Sequence, residues 1–333
     1  MSVRVGIVGV GVMGGDHARI LHDGVAGADL VAVQDADSER ARRVARDCDA
    51  GRVFDTASQL IADPAVDAVI VASPDETHAS LVIACLEQGK PVLCEKPLAD
   101  TLERCLAVIA AEVRSGRRLV QVGYMRRFDP GYRAMKRSFA DGTLGAPLFL
   151  HCVHRNAVAP HYMTSELVIA NSAVHDIDAA RYLLDDDFVA VTVISPRATS
   201  NAPSRQPQFT VLETRRGTLV DIESFLDAQY GYDVRAELVC EGGAVSLAPN
   251  PPIAVRQGGR DGFGLNPDWR GRFEDAYREQ LRAWVASIGT GKPTGSSAWD
   301  GYVASATAAA CLDALRSKAR VPVDLRPRPD FYG

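Results

Sequence analysis

An apolar run from Val3 to Val10 ends in GVGVMG, and a helical pattern begins inside that motif. Gly9, Gly11 and Gly14 make GxGxxG, with Val12 and Met13 between the last two glycines. A strand that turns this tightly into a helix leaves bare backbone beside the helix N-terminus, where free N–H groups and the helix dipole favour a pyrophosphate. The motif alone is weak; a strand before it and a helix after it give it weight. The next apolar segment, LVAVQDAD, carries Asp35 about where this fingerprint expects a carboxylate on the ribose hydroxyls. A carboxylate there repels a 2′-phosphate and favours NAD, while Arg40, Arg42 and Arg43 keep NADP open. The plainer alternative is a glycine-rich turn beside an ordinary surface aspartate.

The pattern continues as strand and helix in turn. Candidate strands are Val3 to Val10, Leu30 to Gln34, Ala68 to Ala72, Val92 to Cys94 and Arg118 to Val122, with helical spacing in Thr77 to Gln88 and Thr101 to Arg114. Alternation of this kind implies right-handed crossovers and a parallel sheet, so residues 1–122 are predicted to form an α/β, doubly wound Rossmann domain. From about Pro147 the pattern changes. Phe188 to Ile194, Phe209 to Thr214, Thr218 to Leu226 and Val234 to Cys240 read as successive strands without helices between them. Residues 123–333 are therefore predicted to form an α+β domain on a large, mainly antiparallel sheet. Two late helices, Arg272 to Ile288 and Ala298 to Lys318, are expected to brace both domains, and the tract Pro249 to Pro267 is expected to be a surface loop. In FVAVTVI both parities are mostly apolar. Helices cover one face of such a strand, and a second subunit is the simplest cover for the other, which predicts a homo-oligomer.

Composition narrows the function classes. A length of 333 residues, 47% hydrophobic and 24% charged, suits a soluble globular protein of about two domains. The net charge of −5, without Lys/Arg-rich blocks, argues against nucleic-acid and membrane partners. VGIVGVGVMGG superficially resembles a secretion signal, but it is glycine-rich and runs straight into Asp16 and His17. Seven scattered cysteines with no CxxC pair read as reduced thiols, which points to the cytoplasm and away from a zinc site.

Two further segments fall at the carboxyl edge of the predicted sheet, where doubly wound folds bind ligands. ASPDETHAS places Ser73 and Pro74 there; His78 either contacts the cofactor or is a partly exposed helix residue. VLCEKPLAD places Lys96 at the same edge. A surface lysine is the plain reading, but Pro97 fixes the backbone after it, and Glu95 is available to orient the loop or the ammonium.

At these residues the chain resembles the glucose-fructose oxidoreductase and inositol dehydrogenase family, over nearly its whole length. GYMRRFDPGY (Gly123 to Tyr132), HRN (His154 to Asn156), NSAVHDID (Asn171 to Asp178) and QYGYD (Gln229 to Asp233) are similar, in order and spacing, to the inositol dehydrogenase branch. The resemblance implies NAD-dependent oxidation of a secondary ring hydroxyl of a cyclitol, or of a related polyol or sugar, to a ketone. In that picture Lys96 stabilises the reacting oxygen and His175 is the base, with Asn171 beside it. Met125, Arg126, His154, Asn156, Tyr230 and Tyr232 line the substrate, the two tyrosines sharing one face of a strand. Glu95, Lys96 and Arg126 also lie near the cofactor, and the assembly is a tetramer.

Each assignment has a structural alternative. His175 falls on an amphipathic helix with Val174, Ile177, Ala180 and Leu184, which also suits a core histidine. The tyrosines suit ordinary strand positions. His151, Cys152 and His154 suggest a metal, but on a strand His151 and His154 point to opposite faces, so no metal is expected. Two residues depart from the branch: Asn171 stands where it carries Asp, and Ala157 where it carries Pro. An amide can orient a ring but cannot accept a proton, so an inosamine, another cyclitol or a pyranose enters as substrate. The alternatives are a sugar 3-dehydrogenase or ketoreductase of the same family, and a catalytically silent NAD-binding regulatory protein.

Overall fold

The computed structural model describes residues 2–248 and 254–333. The chain divides into two compact units, residues 1–125 with 276–302 and 327–333, and residues 126–275 with 303–326. Helix Ala298–Ser317 starts in the first and continues in the second.

The first unit is built on a six-stranded sheet of β1 (Val3–Val8), β2 (Ala28–Gln34), β3 (Arg52–Phe54), β4 (Ala68–Val71), β5 (Val92–Cys94) and β6 (Val120–Val122). The order is β3-β2-β1-β4-β5-β6 and every pairing is parallel. Central strands of such a sheet are covered on both faces and so carry unbroken apolar runs; AVIV of β4 is wholly buried. Strand β3 escaped the sequence reading because three partly exposed edge residues show no periodicity. The core joins Val5, Ile7, Val33, Ile70 and Leu93 to Leu281, Trp284 and Val285 of the helix Trp269–Thr290. Strand order reverses between β1 and β4. That switch point opens a crevice at the carboxyl ends of the strands.

The second unit holds a seven-stranded sheet of β7 (Pro147–Arg155), β8 (Phe188–Ile194), β9 (Gln208–Thr214), β10 (Leu219–Phe225), β11 (Asp233–Cys240), β12 (Gly243–Ser246) and, after a separate hairpin, β15 (Val321–Pro322). Its order is β12-β11-β7-β10-β9-β8-β15. It is mainly antiparallel, but β7 and β10 run parallel, with Ser224 opposite His154. Helix Val174–Leu184 packs against this sheet and buries Val174, Ile177, Ala180 and Leu184. On other parts of the sheet surface Leu148, Val189, Ile194, Phe209 and Leu219 are exposed. The expected loop from Pro249 to Pro267 is corrected in part: β13 (Ala254–Gln257) and β14 (Arg260–Phe263) form an antiparallel hairpin around Gly258 and Gly259, both at positive φ, while residues 249–253 lie outside the described residues. Among the described residues no helix is long and apolar enough to cross a membrane.

Candidate active site

In the first unit, backbone shapes the site. Gly9 has a φ of +81°, and a Cβ there would lie 2.5 Å from the Ser73 nitrogen; a Cβ on Gly14 would lie 1.8 Å from the Gly9 carbonyl oxygen. Both positions therefore require glycine to close the turn. At Gly11 a Cβ would meet only an Arg40 nitrogen at 4.0 Å, so this glycine faces open space. Helix Val12–His22 starts there without a side-chain cap, and Val12 is 63% exposed. Its first N–H groups are thus available to an anion. Asp35 is held at the end of β2: one carboxylate oxygen accepts from Val10 N at 2.8 Å and the other from Asp37 N at 2.8 Å. Arg40 reaches both oxygens at 3.4 Å. The open turn, the uncapped helix and the oriented carboxylate together fit a dinucleotide.

The loop after β5 is anchored from below. Glu95 is buried and its carboxylate meets His17 Nε2 at 2.8 Å; the Lys96 N–H approaches its other oxygen at 3.3 Å. A Cβ on Gly123 would fall 2.8 Å from that carboxylate, so glycine is needed where the two loops touch. His78, also buried, lies 2.7 Å from the Pro97 carbonyl and 2.8 Å from the Ser73 carbonyl, and so ties the loops after β4 and β5 together. Lys96 is half-buried. Burial depresses its pKa, with Glu95 and Asp75 opposing. The Lys96–Pro97 peptide is cis.

The second unit contributes a buried polar cluster. Asp176 is wholly inaccessible; one of its oxygens accepts from Arg126 Nη1, and the other lies 2.9 Å from His154 Nδ1. Arg126, 1% exposed, also places Nη2 3.1 Å from the same His154 nitrogen. Burial would raise the Asp176 pKa, but Arg126 and His154 outweigh it and hold the carboxylate below its usual range. For Arg126 burial acts downward and Asp176, Tyr132 and Tyr232 reverse it, so the guanidinium stays charged. The His154 ring stands edge-on to Tyr232, with centroids 5.9 Å apart, and 6.4 Å from the His175 ring. Burial pushes the Tyr232 phenol up to about 12. Next to this cluster in sequence, Arg127 makes a bidentate pair with Asp178 at 2.9 and 2.7 Å.

Placement differs from expectation at several residues. Gly9, Gly11, Val12, Met13, Gly14, Asp35, Ser73 and Pro74 lie at the carboxyl edge of the parallel sheet. Glu95 and His78 lie beneath that edge with their side chains turned inward, so His78 is not a partly exposed helix residue. Met125 is buried in the short 3₁₀ turn before Arg126. Asn171 does not lie on one regular α-helix with His175: residues Val168–Ala173 are π-wound and lead into helix Val174–Leu184. Extra turns of this kind are common where a side chain must be re-aimed. Tyr230 and Tyr232 do not share a strand face, because Gln229 at φ 68° and Gly231 at φ 136° bend the chain before β11 begins. Tyr232 is buried, whereas Tyr230 is exposed and its hydroxyl bridges Arg155 and Asp233. His151 pairs with Asp221 at 2.6 Å, apart from the His154 cluster. The sequence reading did not pair Asp176 with Arg126 and His154, and it missed His17. The only trace of Asp176 is the pairing of two neighbouring arginines with a DxD repeat, and that of His17 is its place on the buried stripe of the first helix with Gly14, Ala18 and Leu21.

Comparison with known proteins agrees with this geometry. Residues 3–124 match the model of an oxidoreductase family with an NAD-binding Rossmann fold, and residues 132–246 match the GFO/IDH/MocA C-terminal domain. Inositol 2-dehydrogenase 1 of Saccharopolyspora erythraea is 53% identical over 336 residues, covering all of both chains. Inositol 2-dehydrogenase of Serratia proteamaculans is 41% identical over 335 residues, covering all of this chain and 99% of its own. The crystal structure of myo-inositol dehydrogenase from Lactobacillus casei, in complex with NAD(H) and myo-inositol, superposes with a TM-score of 0.96 at 33% identity and full coverage of both chains. A glycine turn and carboxylate that fit NAD, a lysine at the sheet edge and full-length relatives of one kind lead to one conclusion: this chain belongs to the GFO/IDH/MocA family of NAD-dependent oxidoreductases, acting on CH–OH groups.

Proposed function

We propose that this chain oxidises a secondary ring hydroxyl of a cyclitol to a ketone. The observation that carries the reading is the character of the second unit's cluster: Arg126, His154, Asp176 and Tyr232 supply donors and acceptors rather than an apolar pocket, as a ligand made of hydroxyls requires. The names of the full-length relatives support the same substrate class.

NAD, when bound, supplies the hydride acceptor. The turn through Gly9, Gly11 and Gly14 and the first N–H groups of the helix hold the pyrophosphate, and Asp35 takes the ribose hydroxyls. Lys96 donates to the reacting oxygen and stabilises the charge that develops when its proton leaves. Its lowered pKa makes the ammonium a stronger donor than a solvated lysine. His175 takes the hydroxyl proton. Asn171 replaces a carboxylate of the branch it resembles, which keeps inosamines, other inositol isomers and pyranoses on the candidate list.

The outer face of the second sheet, with Ile194, Phe209 and Leu219 exposed, is covered by a second copy of the chain in this reading, and light scattering in solution is expected to give the mass of four chains.

A panel of inositol isomers, inosamines and aldoses, followed by NADH absorbance, tests the substrate. Turnover of an inositol with higher kcat/KM than any aldose is expected. Oxidation of aldoses alone would assign a sugar dehydrogenase, and tight NAD binding without turnover across the panel would assign a regulatory protein.

A further inference from the structure

His17 takes no part in the roles assigned above, yet it is wholly buried in the first unit against a carboxylate. Its Nε2 lies 2.8 Å from Glu95 Oε1, and its Nδ1 is buried without a hydrogen-bond partner among the described residues. Glu95 is thus the ring's one hydrogen bond, and the Tyr277 ring stands edge-on to it with centroids 6.0 Å apart. The pair holds whichever partner carries the shared hydrogen. Glu95 is engaged through both oxygens. Oε1 meets His17, while Oε2 accepts from the Lys96 N–H at 3.3 Å and leaves no room for a Cβ on Gly123, which would fall 2.8 Å away. One carboxylate therefore joins the helix Val12–His22 to the loops that follow β5 and β6. Packing alone does not call for this arrangement. A buried ionisable pair is often replaced by apolar groups of like volume without loss of stability, and Ala18 and Leu21 on the same helix stripe show the apolar solution. An apolar pair, however, directs no hydrogen bond at the Lys96 backbone and no charge at its ammonium. Glu95 does both: burial lowers the Lys96 pKa, and Glu95 and then Asp75 oppose it. On the far side His78 holds the Pro97 carbonyl at 2.7 Å, so Lys96 sits between two anchored neighbours.

We infer that His17 is a positioning residue for Lys96: through Glu95 it fixes the start of the loop after β5 to the helix whose uncapped first turn faces the cofactor. Its effect on turnover rests on the reading of Lys96 at the reacting oxygen, whereas its hold on the loop does not. The two parts are therefore measured separately.

The first measurement is independent of activity. Acetylation of Lys96 by acetic anhydride across a pH series, read by mass spectrometry on its peptide, follows the titration of that one amine. In His17→Leu the Glu95 carboxylate loses its buried partner and takes up a proton or turns toward solvent, and either weakens its support of the ammonium. Lys96 is expected to titrate at lower pH than in wild type. Glu95→Gln, which keeps a hydrogen bond for His17 but removes the charge, is expected to move it the same way, and it serves alone should His17→Leu fail to fold. His17→Gln carries a donor and an acceptor where Nε2 was, and is expected to leave the titration with wild type. A Lys96 titration that does not fall in His17→Leu or Glu95→Gln overturns the inference. The second measurement is a cycle in kcat. His17→Leu is expected to lower kcat about tenfold while NAD affinity changes under about threefold, and to cost under about twofold in a Lys96→Ala background, because its effect passes through Lys96. Equal losses in both backgrounds, or a matching loss of NAD affinity, overturn the inference and leave His17 and Glu95 an ordinary buried pair. A fully active Lys96→Ala enzyme overturns the reading of Lys96 instead, and the acetylation series then judges the hold on the loop by itself.

Discussion

The two units build their contributions in opposite ways. In the first, recognition is made of backbone: a turn closed by Gly9 and Gly14, an uncapped helix start, and one carboxylate oriented by the main-chain N–H groups of Val10 and Asp37. In the second, the polar groups proposed to meet the substrate are side chains that orient one another, with Asp176 between Arg126 and His154. Backbone recognition is local and depends on residue type at fixed offsets. Side-chain recognition depends on groups brought together from residues 126, 154 and 176, and a change in one alters the charge balance of all. The first kind should therefore fail by steric exclusion, and the second by loss of tuning.

The largest expected effect tests the steric side. Gly14→Ala puts a methyl group against a backbone oxygen that cannot move, and should weaken NAD binding by more than about 100-fold in a fluorescence titration. Gly11→Ala, which meets only the end of a flexible arginine, should preserve the melting temperature within a few degrees. If the two variants melt and bind alike, the turn is not what the backbone geometry says it is.

Lys96→Ala comes next. It should lower kcat about 100-fold while NAD affinity changes far less, since its proposed role is at the reacting oxygen; an active variant would return Lys96 to an ordinary edge lysine. Its pH signature follows from the depressed pKa. The ammonium is present below the folded value and lost as pH rises through it, so activity should decline on the alkaline side below the usual lysine value of 10.5. Lys96→Arg, charged throughout, should lose that decline in whatever activity it retains. Between the folded value and 10.5 the unfolded chain holds the extra proton, so this group's contribution to stability rises with pH over that window.

A smaller effect is expected at Asp35. NAD should be preferred over NADP by about tenfold or more in kcat/KM, through ribose hydrogen bonds and repulsion of the 2′-phosphate. Arg40, which spans both Asp35 oxygens at 3.4 Å, is the group that would soften this preference, and equal use of the two cofactors would show that it does.

The smallest effect bears on tuning. Asn171→Asp adds a carboxylate near His175 and should move the lower limb of the kcat/KM profile upward by about one pH unit or less. Profiles recorded where a primary isotope effect shows hydride transfer to be limiting would settle it, and superimposable limbs would mean that position 171 does not tune the base.

What could be read in advance follows the same division. The glycine turn, Asp35 and the central parallel strands were legible because each depends on neighbours within a few residues, or on an apolar run that a doubly covered strand must have. Strand β8 was legible to its ends, Phe188–Ile194, because turn residues bracket it. His78 was placed at the right edge, but its alternative as a partly exposed helix residue fails, since whether a polar side chain faces out or in depends on the loops beside it, here at Ser73 and Pro97. The tyrosine pair failed for a local reason: a glycine and a positive-φ glutamine bend QYGYD before the strand starts.

By itself, then, the sequence determined the parallel sheet, the dinucleotide turn and the carboxylate at the end of β2, because hydrophobic periodicity and glycine stereochemistry act over a few residues and need no distant partner. It also set the inventory of polar groups in the second half. Only the tertiary structure decided what that inventory does. Asp176 meets its partners because β7 and the helix Val174–Leu184 bring it between a histidine 22 positions away and an arginine 50 away, and no pattern along the chain encodes which of several carboxylates will be buried against which cation.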